Sequence, residues 1–282
     1  MSVQHPKPSS KYAPKTSKII AFIGGGNMAQ ALIGGLLAEG TPATMINVAE
    51  PVAELRELLA VRGVNVYATA TEAAVDADVI VLAVKPQIIQ TVLQELALHI
   101  AKKLVISIAA GVTVATLSEG LAGHRRIVRA MPNTPALVQT GATGLYASTD
   151  VDQDDRERAT NILSAAGLVL WVDDESLMHA VTAVSGSGPA YFFYLMEAMI
   201  KAGVAQGLDE KTAKALTLQT ALGAAQMAII SGDNPTKLRT NVTSPNGTTA
   251  AAIEHLDGQQ VSQHIIDALA AAGQRSMVLS AS

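Results

Sequence analysis

The sequence predicts an α/β protein, with an N-terminal doubly wound domain built on a mostly parallel sheet and a C-terminal domain made only of helices. Three observations lead to this prediction. Short runs rich in Val and Ile alternate with segments of helical period from Lys18 to about Val172. A glycine-rich turn joins the first of these runs directly to the first helical segment. After residue 176 the β-like runs stop, and helical patterns rich in Ala, Leu and Met continue.

The predicted strands of the first domain are continuously apolar, which is typical of parallel strands that are covered by helices on both faces. These strands are KIIAFI (18–23), TMINVA (44–49), VIVLAV (79–84), LVISIA (104–109) and RIVRAM (126–131). The segments of helical period between them are MAQALIGGLLAE (28–39), VAELRELLAVRG (52–63), IIQTVLQELALHI (88–100) and VTVATLSEGLAG (112–123). A last apolar run, GLVLWVDDES, ends this part of the chain.

The second domain is predicted from five helical segments, at about 189–203, 209–231, 235–240, 248–257 and 259–280. Asp209 and Pro235 favour the start of a helix, and Gly203, Gly232 and Gly258 favour its end. The segment TALGAAQMAII is apolar around most of its circumference. This indicates either contacts between subunits or a helix that is well buried within one chain.

Three regions follow from these patterns. Residues 1–17 contain Pro, Ser and Lys but no apolar core of a secretory signal, and we expect a mobile tail there. We expect the α/β domain at 18–174 and the helical domain at 175–282.

The composition excludes several classes of protein. The apolar runs fall short of the roughly 18 to 20 residues that a membrane-spanning helix requires, so we expect no membrane segment. A formal net charge of −4, with acidic and basic residues interspersed, argues against a nucleic-acid partner. The chain has no cysteine, and its six histidines show no paired spacing. We therefore expect no metal site, and the lack of cysteine is compatible with a cytoplasmic location.

The turn after the first strand has the pattern of a dinucleotide-binding site, Gly24-x-Gly26-x-x-Ala29. Gly24 allows a tight turn, Gly26 allows close approach of a pyrophosphate, and Ala29 is small enough for the helix to pack against the sheet. Free N–H groups at the start of the helix favour the same anion. We therefore predict an NAD or NADP site at this turn. A glycine turn that exists for steric reasons alone is the alternative.

Two further residues stand at the ends of strands, where ligands bind in open α/β sheets. Glu50 follows the second strand, and its carboxylate suits the ribose hydroxyls of NAD and would repel the 2′-phosphate of NADP. Alternatively, Pro51 turns Glu50 outward as a solvated acid in the first turn of a helix. Lys85 offers a cation to a ribose or substrate oxygen, or simply ends its strand before Pro86.

A second glycine-rich turn, Ser185–Pro189, precedes an apolar helical segment, and a later turn, Thr243–Ala250, resembles it in composition. In the former, serine and glycine supply a helix cap and Pro189 suits the first helical position, which leaves N–H groups free. Neither turn contains Lys or Arg. Two such helix starts suit a small carboxylate better than a phosphate, whereas ordinary capping explains each turn taken singly.

Six segments occur in one order between residues 18 and 280 and together resemble the 1-pyrroline-5-carboxylate reductase family. They are FIGGGNMAQALIGGL, AVKPQ, SIAAGV, RAMPNTPALVQTGATGLYA, HAVTAVSGSGPAYFF and TSPNGTTAAAIE, of which the last two are the most specific. The resemblance implies an N-terminal Rossmann domain and a helical dimerisation domain similar to the C-terminal type of 6-phosphogluconate dehydrogenase. It also implies homodimers of interleaved helices, often assembled further into decamers.

The same resemblance implies the reaction. A hydride passes from nicotinamide C4 to C5 of the cyclic imine 1-pyrroline-5-carboxylate and gives L-proline, the last step of proline biosynthesis. An iminium carbon is already electrophilic, so the reaction needs orientation and a proton on nitrogen more than a strong side-chain acid. This agrees with the lack of an obvious His or carboxylate cluster in the sequence.

The family's cofactor contacts are carried over onto the matching positions. The glycine turn would hold the pyrophosphate, while the AVKPQ and MPNTP segments would lie along the nicotinamide ribose and carboxamide. The candidate cofactor-binding residues, with Glu50 included, are Gly24, Gly26, Asn27, Met28, Glu50, Val84, Lys85, Pro86, Met131, Asn133 and Thr134.

The SPNGTT segment would bind the substrate. Ser244 and backbone N–H groups would take its carboxylate, and Thr249, the candidate catalytic residue, would hydrogen-bond the ring nitrogen. In the family's dimers this loop can serve the Rossmann domain of the other subunit. The candidate substrate-binding residues are Ser187, Ser244, Gly247, Thr248 and Thr249.

The resemblance leaves the cofactor open between NADPH and NADH. Many members of the family prefer NADPH, whereas Glu50 favours NADH here, and Ala70 replaces an asparagine that is frequent in the family.

Two other functions fit parts of the sequence. A hydroxyacid dehydrogenase or imine reductase has the same two domains, but a hydroxyacid enzyme needs a lysine opposite the nicotinamide, and AYFFYLMEAMIKAG has Lys201 only at its far end. A catalytically silent NAD(P)-binding protein would have no need of the SPNGTT segment.

Overall fold

A computed structural model describes residues 18–280 of the 282-residue chain. The tail predicted at 1–17 lies outside these residues. The chain divides into two compact units, the first ending at Gly186 and including the residues from Gly273 onward, and the second spanning Ser187–Ala272. The expected domain boundary at 174 therefore lies earlier than the division between the units.

The first unit is built on one eight-stranded sheet with the order β3-β2-β1-β4-β5-β6-β7-β8. All neighbouring strands pair in parallel except β6 and β7, which are antiparallel. This confirms the predicted doubly wound, mostly parallel sheet. The strands are β1 (Ile20–Ile23), β2 (Ile46–Ala49), β3 (Asn65–Tyr67), β4 (Val79–Leu82), β5 (Leu104–Ser107), β6 (Ile127–Met131), β7 (Gly141–Ala147) and β8 (Gly167–Trp171).

Seven helices of the first unit cover the two faces of this sheet. Successive residues of a strand point to opposite faces, so Phe22 and Val81 lie in one buried cluster and Ile23 and Leu82 in the other. The helices are α1 (Asn27–Ala38), α2 (Ala53–Ala60), α3 (Ala70–Ala74), α4 (Ile89–Leu96), α5 (Val114–Gly120), α6 (Gln153–Ser164) and α7 (Leu177–Val181). A single π-helical turn, Thr182–Gly186, follows α7 and is called the π-turn below.

Strands β3 and β7 are absent from the sequence-based prediction. In β7, two glycines weaken the strand signal. Gly144 is required for packing, since a Cβ at this position would lie 2.4 Å from Cγ1 of Val181 on α7. Gly144 thus weakens the strand signal in the sequence and, in the structure, allows α7 to pack against β7.

The second unit contains the predicted helices, with α12 extending beyond it into the residues that belong to the first unit. Asp209 caps α9 by accepting a hydrogen bond from the N–H of Thr212 at 3.0 Å. Gly232 ends α9 with a φ of 68°. Both predictions are confirmed. The helices are α8 (Gly188–Ala205), α9 (Glu210–Ser231), α10 (Pro235–Asn241), α11 (Thr248–Gly258) and α12 (Val261–Ser280).

Gly203 is not the end of α8, so that prediction is wrong. The helix continues to Ala205, and a Cβ on Gly203 would lie 3.1 Å from the Cβ of Ala213. The glycine therefore serves the close approach of α8 to α9. Within residues 18–280, none of the helices combines the length and the apolar content that a membrane crossing requires.

Candidate active site

The candidate cofactor site lies at the point where the strand order reverses. Strand β1 pairs with β2 on one side and with β4 on the other. The carboxyl ends of these parallel strands meet at one edge of the sheet, where open α/β sheets form a ligand crevice. The glycine turn follows β1 there, and the AVKPQ segment follows β4.

The glycine turn has the backbone that its sequence predicts. Gly24 has a φ of +105°, and a Cβ on it would lie 2.6 Å from the carbonyl oxygen of Ala83. Gly26 precedes α1 with nothing within 4 Å of an added Cβ, and no side chain caps the helix. Ala29 is 1% exposed, as expected for the small residue at the helix–sheet contact. The N–H groups at this helix start, with no acidic residue in the first turn, fit a pyrophosphate.

Glu50 is buried, with 7% of its surface exposed. Its Oε2 accepts a hydrogen bond from the N–H of Gly25 at 3.0 Å, and its Oε1 accepts one from the N–H of Val52 at 3.0 Å. The alternative of an outward, solvated acid is therefore wrong, because the carboxylate is packed against the glycine turn. Glu50 ties the end of β2 to that turn.

Arg56, on α2, is a half-buried cation at the same end of β2. Its Nη1 donates to the carbonyl oxygens of Glu50 and Pro51, at 2.7 Å in each case. Hydrogen bonds from Thr69 lower the pKa of Glu72, and the charge of Arg56 makes a smaller contribution in the same direction. Arg56 thus lies within electrostatic reach of one exposed carboxylate.

The AVKPQ segment places three candidate residues after β4. Val84 is half-buried, and its Cγ1 would lie 3.2 Å from a Cβ on Gly24, so it touches the glycine turn. Lys85 and Pro86 are exposed, and Lys85 is the last extended residue before a short helical turn that begins at Pro86. Lys85 makes no ion pair with any of residues 18–280.

The MPNTP segment begins at the last residue of β6 and carries three candidates, of which Met131 and Asn133 are half-buried and Thr134 is exposed. Asn133 donates from Nδ2 to the carbonyl oxygen of Ser185 at 3.0 Å and accepts at Oδ1 from the N–H of Ala142 at 2.8 Å. A Cβ on Gly186 would lie 2.6 Å from Cε of Met131. The structure therefore brings the MPNTP segment against the end of the π-turn.

The second glycine-rich turn does not open a helix in the predicted way. The residues before it are already helical in α7 and the π-turn. Ser187 precedes α8 in a helical conformation, with φ −85° and ψ −17°, and its side chain makes no capping hydrogen bond. The hydroxyl of Ser185 donates back to the carbonyl oxygen of Val181 at 2.9 Å. The expected open helix start is thus absent at Ser185–Pro189, because a helical turn runs into it.

The SPNGTT segment does form a turn followed by a helix start. The N–H of Gly247 donates to the carbonyl oxygen of Ser244 at 3.0 Å, with Pro245 and a left-handed Asn246 (φ 59°) between them. Gly247 precedes α11 in extended conformation, no side chain caps the helix, and its first turn has no acidic residue. The N–H groups of this helix start are suited to a carboxylate.

The candidate residues fall into the two units by role. The eleven cofactor candidates belong to the first unit, and the five substrate candidates, Ser187 and the four in SPNGTT, belong to the second. Among residues 18–280 there is no group of three His, Cys, Asp or Glu side chains that could hold a metal ion.

Two residues of the site are missing from the sequence-based prediction. A Cβ on Gly25 would lie 2.6 Å from Cδ1 of Leu59 and 3.2 Å from Oε2 of Glu50, so the middle glycine is needed for the carboxylate to reach the turn. The run of three glycines is the signal for it. Arg56 has no such signal, because its contacts are to backbone carbonyls.

Two family models match the chain in the same two parts. The model described as "Pyrroline-5-carboxylate reductase dimerisation" matches residues 175–279. The model described as "NADP oxidoreductase coenzyme F420-dependent" matches residues 19–111. The first match begins at the domain boundary that the sequence predicts.

Similar proteins cover nearly the whole chain. A pyrroline-5-carboxylate reductase of Pseudomonas aeruginosa is 53% identical over 92% of this chain and 96% of its own length. The solved structure of a pyrroline-5-carboxylate reductase from Coxiella burnetii has a TM-score of 0.90 and 43% identity, covering 93% of this chain and 98% of that one. The Plasmodium falciparum enzyme, solved with NADP bound, has a TM-score of 0.84 and 30% identity, covering 94% and 98%.

Proposed function

The chain belongs to the pyrroline-5-carboxylate reductase family, and we propose from this membership how its residues divide the work of the reaction. It is an NAD(P)-dependent oxidoreductase that reduces 1-pyrroline-5-carboxylate. The observation that carries the assignment of roles is the pair of uncapped helix starts, α1 after the first glycine turn and α11 after the SPNG turn. Each offers N–H groups to an anion and has no acidic residue in its first turn.

The first of these helix starts is proposed to hold the pyrophosphate of the cofactor. Gly24 allows the tight turn, and Gly26 leaves space above it for the anion. The N–H groups of Asn27 and Met28 lie in the first turn of α1. Bound there, the reduced nicotinamide supplies the hydride. Val84, two residues after β4, packs against this turn.

Lys85 and Pro86 after β4, together with Met131 and Thr134 at and beyond the end of β6, are proposed to orient the other end of the cofactor. Lys85 is exposed and has no carboxylate partner in the part of the chain that the structure describes, which leaves its ammonium available to a ribose oxygen. Pro86 fixes the backbone after it. Met131 and Thr134 flank the half-buried Asn133 on the neighbouring segment.

The second helix start is proposed to hold the substrate. Ser244 and the free N–H groups of Thr248 and Thr249 would take the carboxylate of the imine, while Gly247 forms the turn that aims them, its own N–H bonded to Ser244. The hydroxyl of Thr249 would accept or donate at the ring nitrogen. Ser187, which makes no capping bond, is the fifth residue of this set. In a dimer, this loop would serve the nucleotide domain of the other subunit.

These roles suffice for the chemistry. A cyclic imine that is protonated on nitrogen is electrophilic at carbon, so the protein has to orient the ring and keep the proton on its nitrogen. A threonine hydroxyl can accept a hydrogen bond from that N–H. The carboxylate of the substrate is neutralised by backbone dipoles, and no strong side-chain acid is needed.

We propose that NADPH is the preferred cofactor, which reverses the preference that Glu50 favours in the sequence. The carboxylate of Glu50 is engaged by the N–H groups of Gly25 and Val52 and acts on the turn instead of on a ribose. Nη1 of Arg56 is bonded to the carbonyl oxygens of Glu50 and Pro51, and Nη2 and Nε can donate hydrogen bonds to a 2′-phosphate. The matched NADP oxidoreductase family and the NADP-bound relative support the same choice.

We propose a homodimer formed through the helical unit. Residues 175–279 match the dimerisation model, and α8 and α9 expose large apolar side chains, with Tyr194 at 77% and Ile229 at 81%. Apolar surface of this extent on two adjacent helices is typical of an oligomer contact. Assembly of dimers into decamers is part of the proposal by resemblance alone. The chain has no cysteine, and we propose that it works in the reducing cytoplasm.

The role of Thr249 is tested by a matched set of variants. Thr249→Val keeps the shape and removes the hydroxyl, and it is expected to lower kcat/KM for 1-pyrroline-5-carboxylate by about ten- to one-hundredfold. Thr249→Ser restores the hydroxyl and is expected to recover most of this loss. The Kd of the cofactor should stay the same in both.

Thr236→Val, on exposed α10, is the control for a threonine change in the same unit. Wild-type kinetics in Thr249→Val would remove Thr249 from the site.

A further inference from the structure

Asn133 stands in the segment proposed to lie beside the nicotinamide, but backbone groups occupy both ends of its side-chain amide. Nδ2 donates to the carbonyl oxygen of Ser185 at 3.0 Å, and Oδ1 accepts from the N–H of Ala142 at 2.8 Å. An amide held at both ends has one orientation. The side chain therefore joins the end of β6, the start of β7 and the end of the π-turn.

The carbonyl oxygen of Ser185 needs this partner because of the sequence that follows it. In an α-helix this oxygen would accept from the N–H four residues later, and that residue is Pro189, which has no N–H. A half-buried carbonyl without a donor costs free energy. Asn133, 52 residues earlier in the chain, supplies the donor that Pro189 cannot.

The π-turn is also held by close packing on the same side. Gly186 leaves room for Met131, since a Cβ there would lie 2.6 Å from its Cε. Ala183 is buried, at 4% exposure. Val181 fits against Gly144 in β7. A single π-turn inside a helical segment is frequent at functional sites, and this one is locked by a polar clamp as well as by packing.

We propose that Asn133 is a positioning residue for the imine and makes no contact with the cofactor. Its clamp on Ser185 fixes the last residues of the first unit, and through them the backbone of Ser187, the substrate candidate two positions later. The inference rests on the proposed function of Ser187. It assigns Asn133 a role different from that of its neighbours Met131 and Thr134.

The test separates the two roles by measuring substrate and cofactor independently. Asn133→Asp keeps the acceptor for the N–H of Ala142, removes the donor to Ser185 and places a negative charge against that carbonyl oxygen. Asn133→Ala removes both hydrogen bonds without adding a charge. We expect kcat/KM for 1-pyrroline-5-carboxylate to fall about ten- to one-hundredfold. The Kd of NADPH should stay within about twofold of wild type. Asn161→Asp is the control for the same change at another half-buried asparagine, which lies on α6.

A second variant pair tests the origin of the clamp. Pro189→Ala restores an N–H four residues after Ser185, so the loss caused by Asn133→Ala is expected to be smaller in the Pro189→Ala background than in the wild-type background. Hydrogen–deuterium exchange should rise at residues 182–188 in both Asn133 variants and stay unchanged at residues 24–28.

Three results would overturn the proposal. They are a rise of the NADPH Kd that parallels the loss in kcat/KM, unchanged exchange at 182–188, and failure of both Asn133 variants to fold, which would make the residue purely structural. If the wild-type protein does not turn over the imine, the proposed function fails, whereas the cofactor Kd and the exchange data still decide whether the clamp exists.

Discussion

Glu50 is a buried carboxylate, and both of its oxygens accept hydrogen bonds from backbone N–H groups. Such a group stabilises the turn that it holds and is costly to remove, because the N–H groups lose their partners. Arg56 is anchored beside it through one nitrogen only. These two residues of opposite charge therefore have different consequences for the cofactor.

The preference between cofactors is predicted from this difference. Glu50→Ser should weaken NADPH and NADH to a similar extent, since it loosens the glycine turn that both share. Arg56→Ala should lower the NADPH-to-NADH ratio of kcat/KM by about tenfold or more, because it removes the proposed charge-assisted contact with the 2′-phosphate. Steady-state kinetics with each cofactor measure both effects.

Arg156→Ala is the control for Arg56, since Arg156 is also half-buried but stacks on Trp171, with its Cζ 4.7 Å from the ring centroid. If the NADPH-to-NADH ratio of kcat/KM rises in Glu50→Ser, Glu50 contacts the ribose hydroxyls of NAD as the sequence suggests. A ratio unchanged in Arg56→Ala would remove Arg56 from the phosphate site.

The residues that could be predicted from the sequence are those whose role depends on local geometry. Gly24, Gly26 and Ala29 show their roles in one strand–turn–helix pattern. The bonds of Glu50 to Gly25 and of Asn133 to Ser185 join residues 25 and 52 positions apart. Such pairings depend on the tertiary fold and have no local pattern. From the sequence alone, Glu50 and Asn133 are therefore read as residues that contact a ligand.

At the scale of elements, one ion pair joins three parts of the first unit. Arg129 on β6 is 4% exposed at its side chain, and its Nη1 lies 2.9 Å from Oε1 of Glu175, which precedes α7. The same oxygen accepts a hydrogen bond from the N–H of Val114 at the start of α5, at 2.8 Å. Removal of the carboxylate would leave a buried guanidinium without its counter-charge.

Glu175→Ala is therefore expected to lower the free energy of unfolding by about 3 kcal/mol. Urea unfolding at fixed protein concentration measures this change. The control is Glu119→Ala on α5, an exposed acid without an ion pair in residues 18–280, and its change should stay within about 0.5 kcal/mol. Equal effects of the two changes would contradict a role of the pair in stability.

The elements that could be predicted are the long helices and the buried parallel strands, because their apolar pattern is continuous. β7 and the true end of α8 could not be predicted, because a glycine can either interrupt an element or allow close packing against it. In β7 and at Gly203, the missing side chain lets a neighbouring helix pack closely against the backbone. In the sequence, the same glycines indicate a break in a strand or the end of a helix. Only the packed structure distinguishes a glycine that breaks an element from one that packs it.

At the scale of the whole molecule, the chain combines a nucleotide-binding unit with a helical unit of the dimerisation type. The cofactor candidates belong to the first and the substrate candidates to the second. Under the proposed division of roles, turnover requires both units. The central claim is that the chain binds a reduced nicotinamide cofactor and uses it to reduce a small cyclic imine.

The most direct test of this claim is turnover of 1-pyrroline-5-carboxylate by the full chain, followed by the loss of reduced nicotinamide absorbance and by the appearance of proline. We expect one proline for each NADPH oxidised, with slower turnover for NADH. No oxidation of either cofactor in the presence of the imine, by a protein that binds the cofactor, would contradict the account.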